Sequence, residues 1–161
     1  MALGSHLMSP LGHIAIALFA RRAIKRYANT DLDLRGIVLG SILPDLDFAL
    51  LPFGKREHVH RTVGHSPLLV LIAAWLLSSR LPADALVCGG ISHLLVDNFW
   101  GGDPPGVAWF FPFDRKRRLI GADLGMRLRD PGGGARAVIL ELSIVLMIAT
   151  ILLIQDKKQP P

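Results

Sequence analysis

The histidines and aspartates of this chain fall within its most apolar stretches. "EHVHRTVGHSPLL", residues 57–69, places His58, His60 and His65 within eight residues, half of the six histidines present, at the edge of an apolar run. His13 lies in "PLGHIAIAL" and His93 in "GGISHLLVDNFW". Asp97 follows His93 by four residues, and such positions on a helix share a face with Cβ atoms about 5–6 Å apart. The pair can therefore offer one nitrogen and one oxygen to a common cation. Asp45 and Asp47 flank a leucine in "SILPDLDFALL". At a spacing of two, an irregular turn can aim both carboxylates inward, whereas a regular helix cannot.

Each feature alone has a plain structural reading: a hydrogen-bonded core histidine, an ordinary cap or turn at "PDLD", a buried His93/Asp97 pair. The set is harder to explain that way. An unpaired buried carboxylate is costly, and a divalent cation would compensate several acids and imidazoles together. Imidazole and carboxylate without thiolate suit Zn²⁺, with Mn²⁺ or Fe²⁺ as alternatives. The ligands suffice for one ion, or for two or more, and two-metal sites serve phosphoester hydrolysis. Cys88 is the single cysteine, which excludes an intrachain disulfide and a cysteine metal cluster. It reads as a small core residue.

These side chains have to be positioned by helices. Residues 11–27 read as a helix, apolar first and basic afterwards, capped by "SP" at 9–10. A second helix covers 34–43 and stops near Pro44. Residues 67–78 and 82–99 form two more, with Pro82 in a first turn. "WGGDPPG" breaks the latter, and "VAWFFPFD" reads as a short extended segment. The longest apolar stretch is 135–154; about 20 residues of helix span about 30 Å, so it is expected to cross a bilayer. Glu141 within it is expected to pair with Arg136 or to snorkel. The expected architecture is all-α: a membrane-associated helical bundle with a clustered His/Asp metal site and a C-terminal transmembrane helix over about 135–154. Residues 1–7 read as a tag or disordered start, and 8–161 as a single domain.

Composition agrees with a membrane setting. Hydrophobic residues make up 51% and charged residues 19%, against about 25% charged in soluble domains, and mean hydropathy is +0.42. The net charge is +5, and "RKRR" at 115–118 is the densest basic cluster. In so apolar a chain, anionic lipid headgroups are the favoured partner of that cluster, ahead of nucleic acid. The stretch 114–136 holds seven Lys/Arg and the tail only Lys157 and Lys158, so the positive-inside rule puts that stretch in the cytoplasm. Oligomeric state is not legible.

Taken together, "PLGHIAIAL", "GSILPDLDF", "HRTVGHSPLL", "GGISHLLVDNFW" and "WFFPF" resemble the YdjM family (DUF457) of inner-membrane metal-dependent hydrolases, some members of which are regulated by the SOS repressor LexA. The resemblance covers about 8–154. It implies integral placement in the inner membrane, and it carries the family motifs onto His13, Asp45, Asp47, His60, Arg61, His65, His93 and Asp97. His58 stands outside the pattern and reads as solvated or supporting. The family is also considered distantly similar to zinc-dependent phospholipase C and P1 nuclease, which implies a helical fold and phosphoester chemistry, a phospholipid being one such substrate.

The expected activity is therefore metal-dependent hydrolysis. His13, Asp45, Asp47, His60, His65, His93 and Asp97 are the expected metal ligands, and Asp45, Asp47 and Arg61 the expected catalytic residues. One aspartate would act as general base or bridging ligand, and Arg61 would stabilise an anionic transition state. Ser66 lacks a Gly-x-Ser-x-Gly setting, and no His-Glu-x-x-His motif is present. The rival from another class is a metal-stabilised membrane binding or stress-response protein without turnover; an open coordination position distinguishes the two.

Overall fold

A computed structural model of the 161-residue chain describes residues 8–47, 63–100, 106–119 and 135–156. Within these residues the architecture is all-helical: α1 Pro10–Ala28, α2 Leu34–Ile42, α3 Pro67–Leu77, α4 Ala83–Trp100 and α5 Ala135–Asp156. Each expected helix is present with its ends shifted by no more than two residues. The caps are written in the sequence. Ser9, Asp33 and Ser66 each accept a bond from the backbone N–H three residues on, and Pro10 and Pro67 follow two of them. Asn29 closes α1 in the left-handed region, at φ 50°.

α4 is the central element. It packs against α1, α2 and α3, and its buried residues include Ala85, Leu86, Gly89, Gly90, His93, Leu94 and Asp97. The α2–α4 crossing depends on missing side chains. A Cβ on Gly40 would lie 2.3 Å from the Leu86 carbonyl oxygen, and one on Gly89 would lie 2.4 Å from that of Ile37. Main-chain atoms cannot swing aside, so glycine sets this distance. Around the crossing Ala17, Leu32, Ile37 and Ala85 form one apolar cluster, with Cys88 half-buried against it as expected of a core residue.

Residues 107–114 are mostly turn rather than extended strand; the strand-like feature there is an isolated antiparallel bridge between Val107 and Arg118. α5 packs against α1 through Leu140 and Ile144, which contact the Met8–Trp100 cluster. Ser9 seals this contact. Its backbone N–H donates to Glu141 Oε1 at 2.8 Å, and its hydroxyl donates to the same oxygen. Glu141 is thus tied to the start of α1; its expected pairing with Arg136 falls on a side chain outside the described residues.

Along the outside of α5, Ile139, Leu142, Leu146, Met147 and Leu153 are exposed. Among the described residues, however, no helix is long and apolar enough to cross a membrane. That corrects the span expected over 135–154.

Candidate metal centre

Five sequence-expected residues converge from four segments: His13 from α1, Asp45 from the turn after α2, His65 from the residues before α3, and His93 and Asp97 from α4. The i,i+4 spacing puts His93 and Asp97 on one buried face, with His93 Nε2 3.5 Å from Asp97 Oδ2. Residues 43–47 form a tight 3₁₀ stretch after Pro44 ends the regular helix. This irregular turn aims both aspartates at one ring: Asp47 Oδ2 lies 2.9 Å from His65 Nδ1, and Asp45 Oδ1 lies 3.5 Å from His65 Nε2. Gly64 permits the approach, because a Cβ there would meet the Pro44 carbonyl oxygen at 2.5 Å and Asp47 Cβ at 2.8 Å.

The hydrogen bonds decide which nitrogens face inward. The Ser41 carbonyl oxygen lies 2.7 Å from His93 Nδ1, and a carbonyl can only accept, so His93 Nδ1 carries the proton. His65 Nδ1 likewise donates to Asp47. Both rings then point Nε2 into the cluster, where the two nitrogens are 3.2 Å apart. Asp97 Oδ2 lies 3.1 Å from His65 Nε2, and Asp45 Oδ1 lies 3.5 Å from His93 Nε2. A tetrahedral ion with bonds of about 2.0–2.1 Å separates its ligand atoms by roughly 3.3–3.4 Å. The His65–His93–Asp97 triangle, at 3.1, 3.2 and 3.5 Å, is close to one face of such a site.

His13 closes another side. Its ring stacks on His93 at a centroid distance of 3.7 Å, and its Nε2 lies 3.6 Å from Asp97 Oδ1. His13 Nδ1 is buried without a hydrogen-bond partner among the described residues. His13, Asp45 and His93 form a second group whose donor atoms lie within 4.8 Å of one another.

Charge is distributed unevenly. Burial, reinforced by His93, pushes His13 down to about 3, so its ring is neutral. Burial also works to lower His65, but the carboxylates of Asp45, Asp47 and Asp97 outweigh it and lift this group to about 10. Burial works to raise Asp45, yet its bond to His65 and the neighbouring imidazoles hold it below the usual carboxylate range. The cluster thus holds a proton among three carboxylates, where a cation can take its place. The orphaned His13 nitrogen and the two inward Nε2 atoms, each fixed from behind, fit a divalent ion.

Asp47 stands on the outer nitrogen of His65, where it orients and charges the ring. His60 and Arg61, expected as ligand and catalytic residue, and His58 lie outside the described residues. The Ser41 carbonyl was not anticipated, since a main-chain acceptor leaves no side-chain signal. The small residues Gly36, Gly40 and Gly89 at the α2–α4 crossing were the available hint of so close an approach.

The family model of the YdjM inner membrane protein matches residues 8–158. No curated protein and no solved structure matches the chain. The similarity to zinc-dependent phospholipase C and P1 nuclease therefore stays an expectation.

Proposed function

From the premise that the chain belongs to the YdjM inner membrane protein family, we propose that it is a membrane-bound, metal-dependent hydrolase of phosphoesters. One observation carries the reading: His65 Nε2 and His93 Nε2 face each other at 3.2 Å while their Nδ1 atoms are held by Asp47 and the Ser41 carbonyl. Rings fixed from behind in this way are the arrangement of metal-ligating histidines. His65, His93 and Asp97 would hold the ion, with Asp45 and His13 completing the set or holding a second. A divalent cation there, Zn²⁺ by ligand chemistry or else Mn²⁺ or Fe²⁺, would supply Lewis acidity toward water and a phosphoryl oxygen.

The chain's own groups divide the remaining work. Asp47 and Ser41 fix the two ring orientations. Asp45, 22% exposed beside Asp97 at 2%, is the carboxylate open to solvent and is held in its anionic form, the form that would accept a proton from attacking water. Arg61 is assigned the anionic phosphoryl oxygens, because guanidinium geometry matches phosphate. Membrane attachment rests on the family and on the apolar exteriors of α3 and α5, where Leu71, Trp75, Leu142 and Leu146 are exposed.

The test is metal analysis and hydrolysis of bis(p-nitrophenyl) phosphate by the detergent-purified full chain, wild type beside His93→Ala. One or two divalent ions in wild type, and loss of both metal and turnover in the variant, are expected. Metal-free wild type after reconstitution with Zn²⁺, Mn²⁺ and Fe²⁺ would overturn the proposal. Tight metal binding without turnover would favour a second reading, a metal-stabilised membrane binding protein. The near-complete burial of His13, His65, His93 and Asp97 speaks for that alternative, since structural sites are closed.

A further inference from the structure

Beside the metal cluster lies a cavity of about 330 Å³. Leu43 and Leu46 from the 3₁₀ turn form one wall, and Leu69, Ile72, Ala73 and Leu76 of α3 form the other. The α3 positions follow i, i+3, i+4 and i+7, a single helix stripe. α3 is apolar throughout, yet only Val70 and Ala74 are buried by the fold. On the cavity-facing stripe Ile72 and Leu76 are exposed and Leu69 and Ala73 half-buried, so the other described residues leave this apolar wall largely uncovered.

Among the described residues, the one ionisable side chain in the lining is Asp47, and its carboxylate is engaged by His65 Nδ1. An occupant with polar groups along its length would leave them unpaired there, at a cost that hydrocarbon avoids. The volume sits at the low end of the roughly 300–1,000 Å³ of ligand pockets. It has room for one chain rather than a whole diacyl lipid. Leu46, Ile72 and Leu76 line the cavity and are also exposed, at 62%, 41% and 63%. Hydrocarbon can therefore enter from the apolar exterior, while Asp47 marks the end next to the metal cluster.

Resting on the hydrolase reading above, we infer that this cavity holds one acyl chain of the substrate, so the substrate is a lipid phosphoester whose headgroup lies against the His/Asp cluster. The chain acts as the handle. Its burial positions the phosphoester and sets a preference for lipids over the corresponding water-soluble headgroup diesters.

The experiment uses the full chain in nanodiscs of phosphatidylcholine, doped with phosphatidylglycerol that carries a mid-chain diazirine, followed by peptide mapping after illumination. Labels are expected to concentrate on residues 43–46 and on the 69/72/73/76 stripe. They should fall about tenfold in Ala73→Phe, which fills the cavity. Leu76→Trp, at the mouth, should do the same if the interior change disturbs folding, and unchanged metal content reports a folded site. Leu71→Phe, exposed and outside the lining, should leave labelling unchanged. Even labelling of Leu71, Trp75, Leu142 and Leu146, indifferent to Ala73→Phe, would overturn the inference. Hydrolysis is measured in parallel on phosphatidylglycerol and on its deacylated headgroup diester. Equal KM for the two would overturn the chain-binding role while leaving the hydrolase standing. Cavity labelling with no hydrolysis of either would overturn the hydrolase reading, and with it the assignment of the chain to a substrate.

Discussion

Asp47 and His65 are eighteen residues apart in sequence, and the Asp47 carboxylate accepts from His65 Nδ1 at 2.9 Å, both side chains being buried. The contact fixes the ring so that its other nitrogen meets His93, Asp45 and Asp97. It also adds negative charge behind a group that would donate its lone pair to a cation. Asp47→Asn keeps an acceptor oxygen but removes the charge. Metal affinity is expected to fall by about 10–100-fold, the usual cost of losing a partner behind a ligating histidine, with the helical fold retained. Competition against a chelating dye measures it, and unchanged affinity would separate Asp47 from the site.

Metal uptake should release a proton. His65 is lifted to about 10 by its three carboxylate neighbours, after their attraction overcomes the effect of burial. At neutral pH the metal-free ring is therefore an imidazolium, and it must lose a proton before Nε2 can ligate. Apparent affinity should rise about tenfold per pH unit between roughly pH 7 and 9. Calorimetry in two buffers of different ionisation enthalpy counts the proton directly. Uptake without pH dependence would mean that His65 does not ligate.

Much of this arrangement was legible before the structure, and the reasons are physical. Helix periodicity dictates that His93 and Asp97 share a face. Pro44 dictates that α2 stops where two aspartates at a spacing of two can both turn inward. Ser9, Asp33 and Ser66 announce their helices through capping chemistry. What could not be read was long-range. The partner of Glu141 is Ser9, 132 residues away, and nothing in the periodicity of either helix selects it. Spacing reports that Asp45 and Asp47 can both turn inward but not which ring nitrogen each will meet, and Asp47 meets His65 Nδ1.

The metal-free protein should be most stable near the ordinary imidazole range. His13 is pushed by burial to about 3. Below the unfolded value of about 6.5 the unfolded chain binds the extra proton, so this group's contribution is present above that value and is lost as pH falls toward 3. His65 works with the opposite sign. Its contribution is complete below about 6.5 and is lost as pH rises through 10. Thermal unfolding in the presence of a chelator should therefore show a maximum around pH 6–7. His13→Phe should flatten the acid limb and leave the alkaline limb in place. An acid limb unchanged in that variant would assign the loss of stability to other groups.

The α2–α4 crossing should matter to the metal through the main chain. His93 Nδ1 is held by the Ser41 carbonyl at 2.7 Å, and Ser41 reaches it because Gly40 lets α2 lie against Leu86. Gly40→Ala would place a Cβ 2.3 Å from the Leu86 carbonyl oxygen, a backbone atom without a rotamer to yield. The helices must separate, at a cost of about 1–3 kcal/mol as in other overpacked cores, and the Ser41–His93 bond is lengthened. Both the melting temperature and metal affinity should drop. Ser41→Ala supplies the control. Its hydroxyl donates to the Val38 carbonyl within α2 and plays no part in the His93 contact, so affinity should hold while the side chain is gone. If Ser41→Ala loses metal as fully as Gly40→Ala, the hydroxyl and not the carbonyl is what His93 requires.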